Sequence, residues 1–323
     1  MNLIPAFDFH EVIIRPWAAD FGVTVWVVLM GFFVAAGCGL VGNYLLLRRM
    51  ALVGDAISHS ILFGLVGAFL IFRTAGTLLM FLGAVVSGLL TVGVIEFIHR
   101  QSRVKPDAAI CIAFTTLFAL GVIMLSVAEI GGPVHIDAEC VLYGEIAFVA
   151  LEPPLRWAGI DWGPPSVIRM GAVLGGVLLA ITVFYKELLL TSFDPGLARS
   201  MGWRGSVWHY GLMALLSIVI VSAFEAVGAI LAIAMLIVPP MFAAQLSSSL
   251  PARLGLTVLH GFLSSVAGYH LSIWLQCSTA GAMVVTGALL FVVVWIGTGL
   301  ASLRPSMSSR ATENLAPQGP IVR

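Results

Sequence analysis

Along the 323 residues the apolar positions fall in long continuous runs, without the two-residue alternation of strands. Runs bounded by charged or Pro/Gly-rich breaks predict helices over about 22–47, 50–72, 77–98, 107–130, 167–190, 206–223, 226–246, 253–275 and 280–302. Each is close to the roughly 20 apolar residues needed to cross a hydrocarbon core of about 30 Å. The pattern predicts an all-α, polytopic transmembrane bundle of about nine spans, with eight as the next count. The spans fill a domain over 21–302, between an N-terminal segment 1–20 and a tail 303–323 whose proline and serine content reads as disordered. Membrane lipid is the solvent this surface expects.

Composition agrees with the pattern. Hydrophobic residues make up 60% of the chain and charged residues 10%, with a mean hydropathy of +1.06, whereas soluble domains are about 45–50% apolar and about 25% charged. A soluble enzyme or binding module is excluded. Outer-membrane-type barrels are excluded as well, because their strands alternate in short segments.

Sixteen basic residues balance sixteen acidic ones, and no basic cluster of the kind that grips nucleic acid is present, so no nucleic-acid partner is expected. The distribution carries more information. Strict alternation of nine spans places twelve basic residues on one side and leaves Arg15, Arg73, Arg156 and Arg169 for the other. The positive-inside rule then predicts the N-terminus outside and the C-terminus in the cytoplasm. The longest break, 131–166, falls outside and carries Asp137, Glu139, Glu145, Glu152 and Asp161 against Arg156. It reads as an ordinary solvated loop or as an acidic approach for cations, with Asp137, Glu139 and Glu145 as candidate outer residues.

The chemistry-bearing motifs are few. The only lysines, Lys105 and Lys186, do not follow glycine, so the chain has no P-loop; it also lacks H-E-x-x-H and G-x-S-x-G. Cys38, Cys111, Cys140 and Cys277 show no C-x-x-C spacing, and Cys38 and Cys111 read as small core residues. The second span holds Asp55 and His59 four residues apart, on one helix face. An intramembrane carboxylate is costly and normally faces an interior or an aqueous path. With an imidazole it forms a ligand pair for a divalent transition metal such as Zn, Mn or Fe, without choosing among them. A structural Asp–His hydrogen bond near the Arg48-Arg49 turn is the competing reading.

A second feature lies between the fifth and sixth spans. Ser192-Phe193-Asp194-Pro195 through Gly202 predicts a short helix with Asp194 as N-cap, Pro195 at the first position and Gly202 past the end. Leu197 and Met201 give it an apolar edge, a shape that serves as a loop helix or docks in a partner's groove. His260, His270, Glu129, Glu225 and the pair Glu96 and His99 are weaker candidates, read as interfacial or packing residues.

Three segments together resemble one family. Met50-Ala51-Leu52-Val53-Gly54-Asp55-Ala56-Ile57-Ser58-His59, Tyr185-Lys186-Glu187-Leu188 running into Phe193-Asp194-Pro195-Gly196-Leu197-Ala198, and Val227-Gly228-Ala229-Ile230-Leu231 through Pro239-Pro240 are similar to the permease of the zinc/manganese/iron ABC importers. Leu142-Tyr143-Gly144-Glu145-Ile146 resembles that family's L-F-G-D-I segment. The resemblance implies a multi-pass subunit of a prokaryotic inner membrane that carries a divalent metal ion as cargo and holds no permanent cofactor. It implies three partners: a cytoplasmic P-loop ATPase, an extracytoplasmic metal-binding protein and a second permease chain, identical or related. Asp55 and His59 would then line the metal path. Phe193, Asp194, Pro195, Leu197, Met201 and Gly202, within 191–205, would form the segment that couples to the ATPase. A permease for a metal chelate and an ion-coupled secondary transporter are the alternative readings.

Overall fold

The computed structural model describes residues 5–73, 77–130, 146–157 and 160–302. A helical segment over His10–Ala18 precedes α1 (Phe21–Leu47), α2 (Leu52–Phe72), α3 (Thr77–Gln101) and α4 (Pro106–Ile130). After a 3-10 turn at Ile146–Leu151 and two antiparallel two-residue strands, Arg156–Trp157 and Ile160–Asp161, come α5 (Pro165–Val183), α6 (Tyr185–Phe193) and α7 (Pro195–Ser200). The chain ends in α8 (Gly205–Leu246), α9 (Leu250–Leu275) and α10 (Thr279–Ser302). Long side chains such as Ile71, Leu78, Phe97, Ile123, Leu179 and Val293 project outward around the bundle, as a lipid-facing surface requires.

The 42 residues of α8 would make a rod of about 63 Å at 1.5 Å per residue, twice the thickness of a hydrocarbon core. The helix instead folds back at Gly228, whose φ of 77° and ψ of 173° are open to glycine and strained for any other residue. Val219 and Met235, on opposite sides of that bend, meet α1 at neighbouring glycines, Gly37 and Gly39, and Ile220 and Leu236 both lie against Gly54. Gly205–Phe224 and Val227–Leu246 are therefore two spans. The backbone of Leu236 and the ring of Pro240 press against Gly42 so closely that no side chain fits there.

Among the described residues, eight helical segments are long and apolar enough to cross a membrane, and α9, with Arg253, His260 and His270, is the less apolar exception. Packing supplies what composition does not. Gly31 faces Ser265, Ala35 faces Gly261 and Gly39 faces Thr257, each step four residues along both helices in opposite directions. Thr24 meets Tyr269 toward one end and Asn43 meets Thr257 toward the other, so α9 runs antiparallel along most of α1. The small residues at four-residue spacing let the two backbones approach closely. Asn43 Nδ2 donates to Thr257 Oγ1 (2.9 Å), and Thr24 Oγ1 lies 3.0 Å from the Tyr269 hydroxyl. Among the described residues, eight segments meet the length and hydropathy of a span, the lower of the two counts the sequence allowed, and α9 packs beside them.

Other expectations need adjustment. The fifth apolar run does not continue to 190: the helix stops at Val183, the chain bends at Phe184 (φ −103°, ψ 26°), and α6 starts in a new direction. Cys38 is buried, but Cys111 lies on the exposed side of α4 and is not a core residue. The tail 303–323 lies outside the described residues.

Candidate metal path and coupling helix

Asp55 sits in the first turn of α2, where the helix N-terminus favours negative charge. His59 follows one turn later, and its Nε2 lies 3.4 Å from Asp55 Oδ1. The side chains are 37% and 35% exposed, so the pair opens to a surface of this chain instead of being sealed in its core. The imidazole stacks on Phe114 (centroids 5.5 Å apart, 28° between planes) and meets the edge of Phe118 at 6.0 Å, both on α4. These phenyl rings pack the imidazole from α4, and its Nε2 faces Asp55. Phe114 and Phe118 escaped sequence reasoning because, inside an apolar run, they look like any lipid-facing aromatic. Among the described residues no group of three or more His, Cys, Asp or Glu side chains converges to hold a metal.

The short helix is built as its sequence indicates. Asp194 Oδ1 accepts from the amides of Gly196 (3.0 Å) and Leu197 (2.9 Å), and Pro195 starts α7. At its end Gly202 takes φ 81°, its amide donates to Arg199 O (3.0 Å), and the Trp203 amide donates to Ala198 O (3.0 Å), the paired bonds of a Schellman stop. Ala198 is buried against the bundle, while Phe193, Leu197 and Met201 are 56%, 48% and 58% exposed. An apolar edge of that size at the end of the bundle has no cover within the described residues.

Arg48, just past the end of α1, links the two features. Its Nε donates to Ser192 Oγ and its Nη2 to Thr191 Oγ1, both at 3.0 Å, fastening the end of α6 to the turn that leads into Asp55. Burial lowers the pKa of this guanidinium from the usual arginine value. Beside it Glu96 pairs with Arg100 and lies 3.2 Å from His209 Nε2. Sequence reasoning paired Glu96 with His99, whose Nδ1 instead lies 3.2 Å from Val104 O.

The remaining candidates have structural explanations or lie elsewhere. His260 is buried under Phe242 with Nε2 3.1 Å from Gly287 O. His270 accepts from Trp17 Nε1 (3.1 Å) and donates from Nδ1 to Val12 O (2.9 Å), holding the N-terminal segment on α9. In the acidic segment, Glu152 accepts from the Ser166 amide (3.1 Å) and Asp161 pairs with Arg156 (2.8 Å). Asp137, Glu139 and Glu145 lie outside the described residues, as do the side chains of Glu129 and Glu225.

A bundle with eight candidate spans among the described residues, a half-open Asp–His pair and a capped helix between spans are the features of a multi-pass membrane transport protein. Residues 20–298 match the ABC 3 transport family, and the chain belongs to that family. It is 44% identical over 258 residues to the manganese transport system membrane protein MntD of Bacillus subtilis, covering 80% of this chain and 86% of that one. It is 40% identical over 275 residues to the zinc transport system membrane protein TroD of Treponema pallidum, covering 85% and 74%. Among solved structures, PsaBC from Streptococcus pneumoniae in complex with Fab superposes with a TM-score of 0.72 at 31% identity, over 89% of this chain and 95% of that chain.

Proposed function

We propose that this chain is the membrane-spanning subunit of an ATP-driven importer of manganese or zinc ions, with Asp55 and His59 as ligands in the metal path. The observation that carries the reading is the pair itself: an aspartate and a histidine share one face of a membrane helix, stay one-third exposed, and find no further ligand among the described residues. A carboxylate left on a lipid-facing surface is costly, so the open face calls for a partner. A second copy or a related chain opposing it would contribute another pair. Two carboxylates and two imidazoles complete a tetrahedral zinc site, or four of six positions around manganese. The names of the relatives favour these two metals and give iron no support. A ligand pair also favours a bare ion over a chelate, which would need a wide apolar passage.

The cytoplasmic side is assigned to the end carrying Arg48, Arg49, Arg100, Arg199 and Arg204, following the positive-inside rule. There the exposed edge of α7 would seat in the ATPase, while an extracytoplasmic metal-binding protein would deliver the ion at the opposite end, near Asp137, Glu139 and Glu145. Nucleotide-driven movement of α7, passed through Arg48 to the start of α2, would open and close the path at Asp55.

Uptake of radioactive manganese and zinc by Asp55→Asn and His59→Gln variants, at matched protein level, tests the metal path. Loss of uptake with normal protein amount and thermal stability is expected, because coordination and charge are lost and packing is not. Uptake in proportion to a reduced protein amount would assign the pair a structural role and overturn the proposal.

A further inference from the structure

At the end of the bundle beside α7 lies a cavity of about 750 Å³ into which Arg48, Arg49, Arg100, Arg199, Arg204 and His209 all face. Charges of one sign from four separate parts of the chain meet there: the α1–α2 turn, the end of α3, α7, and the start of α8. Glu96 compensates Arg100 and approaches His209. Nothing comparable serves the others. Arg48 is partly buried and spends its hydrogen bonds on the neutral hydroxyls of Thr191 and Ser192. Arg49, Arg199 and Arg204 have no carboxylate partner among the described residues.

A partly buried guanidinium without a counter-charge, inside a cavity of like charges, is destabilising until an anion fills it. Arg49, also on the cavity wall, takes φ 58° as the left-handed residue that ends α1, with the Met50 amide donating to Leu45 O (2.9 Å) and its own amide to Leu46 O (3.1 Å). The anion's source follows from where the cavity opens. Pro195, Ala198 and Arg199 of α7 form part of its wall, and the exposed Leu197 and Met201 lie on the same short helix. A protein that seats α7 therefore also covers the mouth.

We propose that this cavity is an anion receptor that takes an aspartate or glutamate side chain of the ATPase partner, inserted alongside α7. A carboxylate matches the planar fork of a guanidinium in a two-bond arrangement. Arg199 and Arg204, both exposed, would steer the approach, and Arg48 would meet the carboxylate at the floor of the cavity. Because Arg48 also holds Thr191 and Ser192, the bound carboxylate would sense the junction between the coupling segment and the start of α2. The inference rests on the proposed docking of α7.

The test uses the full permease in lipid nanodiscs and measures its affinity for the ATPase from about 50 to 500 mM salt, a range over which screening of exposed charges becomes strong. Wild-type affinity should fall steeply with salt. Arg199→Gln with Arg204→Gln, at two exposed positions outside the core, should weaken binding roughly tenfold at low salt and flatten the salt dependence. Arg48→Gln should weaken it by about thirtyfold or more. Arg199→Glu should be rescued by a lysine at one acidic position on the permease-facing surface of the ATPase. Unchanged affinity and salt dependence in the Arg199/Arg204 double variant would overturn the proposal. So would unchanged ATPase affinity together with lost stabilisation by phosphatidylglycerol, which would name a lipid headgroup as the occupant. Leu197→Asp separates the two readings: if it abolishes ATPase binding while the arginine variants do nothing, only the anion receptor fails; if it leaves binding intact, the docking of α7 itself fails.

Discussion

The Tyr269 hydroxyl lies 3.0 Å from Thr24 Oγ1, which also donates to Pro16 O (2.8 Å), so the last turns of α9 are tied to the first turns of α1 and to the segment before it. Cys277, two residues past α9 and exposed, must then lie at the same end of the bundle as the chain's N-terminal segment. With the basic end in the cytoplasm, a membrane-impermeant thiol reagent on intact cells should label Cys277 when it is the sole cysteine. A cysteine introduced by Arg199→Cys in a cysteine-free background should react only after permeabilisation. The reverse pattern would invert the orientation.

The contact between Gly261 and Ala35 predicts the cost of widening the α1–α9 seam. A Cβ at position 261 would already come within 2.9 Å of the Ala35 methyl. Gly261→Leu should therefore lower the stability of the purified protein by about 1–3 kcal/mol, the usual range for overpacking. Detergent melting curves check this, and an unchanged midpoint would show that the helices separate freely.

Loss of the Asp194 cap should act locally. Asp194→Ala removes two bonds to the first turn of α7 and should cost that turn about 1 kcal/mol. The midpoint of global unfolding should hardly change, while ATPase stimulation by the permease falls severalfold; Asp194→Ser, which keeps a capping oxygen, should retain most of it.

Phe114→Ala removes the ring stacked on His59. An imidazole freed to rotate is a poorer pre-set ligand, so half-maximal uptake should require several times more metal while protein amount stays near normal. An unchanged concentration dependence would reduce Phe114 to packing.

Much of this was legible in particular residues. The spans of α1 to α4 follow from apolar run length, the bounds of α7 from Asp194, Pro195 and Gly202, and the shared face of Asp55 and His59 from four-residue spacing. Each depends on neighbours in the chain, where a helix's geometry is fixed by its own hydrogen bonds. Other features were hidden for a common reason: they join residues far apart in sequence. Arg48 reaches Ser192 across 144 residues, Glu96 chose His209 and Arg100 over His99, and Phe114 shelters a histidine on another helix.

By itself, then, the sequence determined that this chain lies in a membrane as helices, where one helix begins in charge, and how a six-residue helix is capped, because hydrocarbon forces backbone groups to pair within the segment. Tertiary structure decided how α9 packs antiparallel along α1, through small residues and the Thr24–Tyr269 and Asn43–Thr257 contacts that its modest apolar content does not announce. It also decided that the arginines of four separate segments share one cavity, because side chains that local chemistry leaves in solvent are gathered by the packing of the helices that carry them.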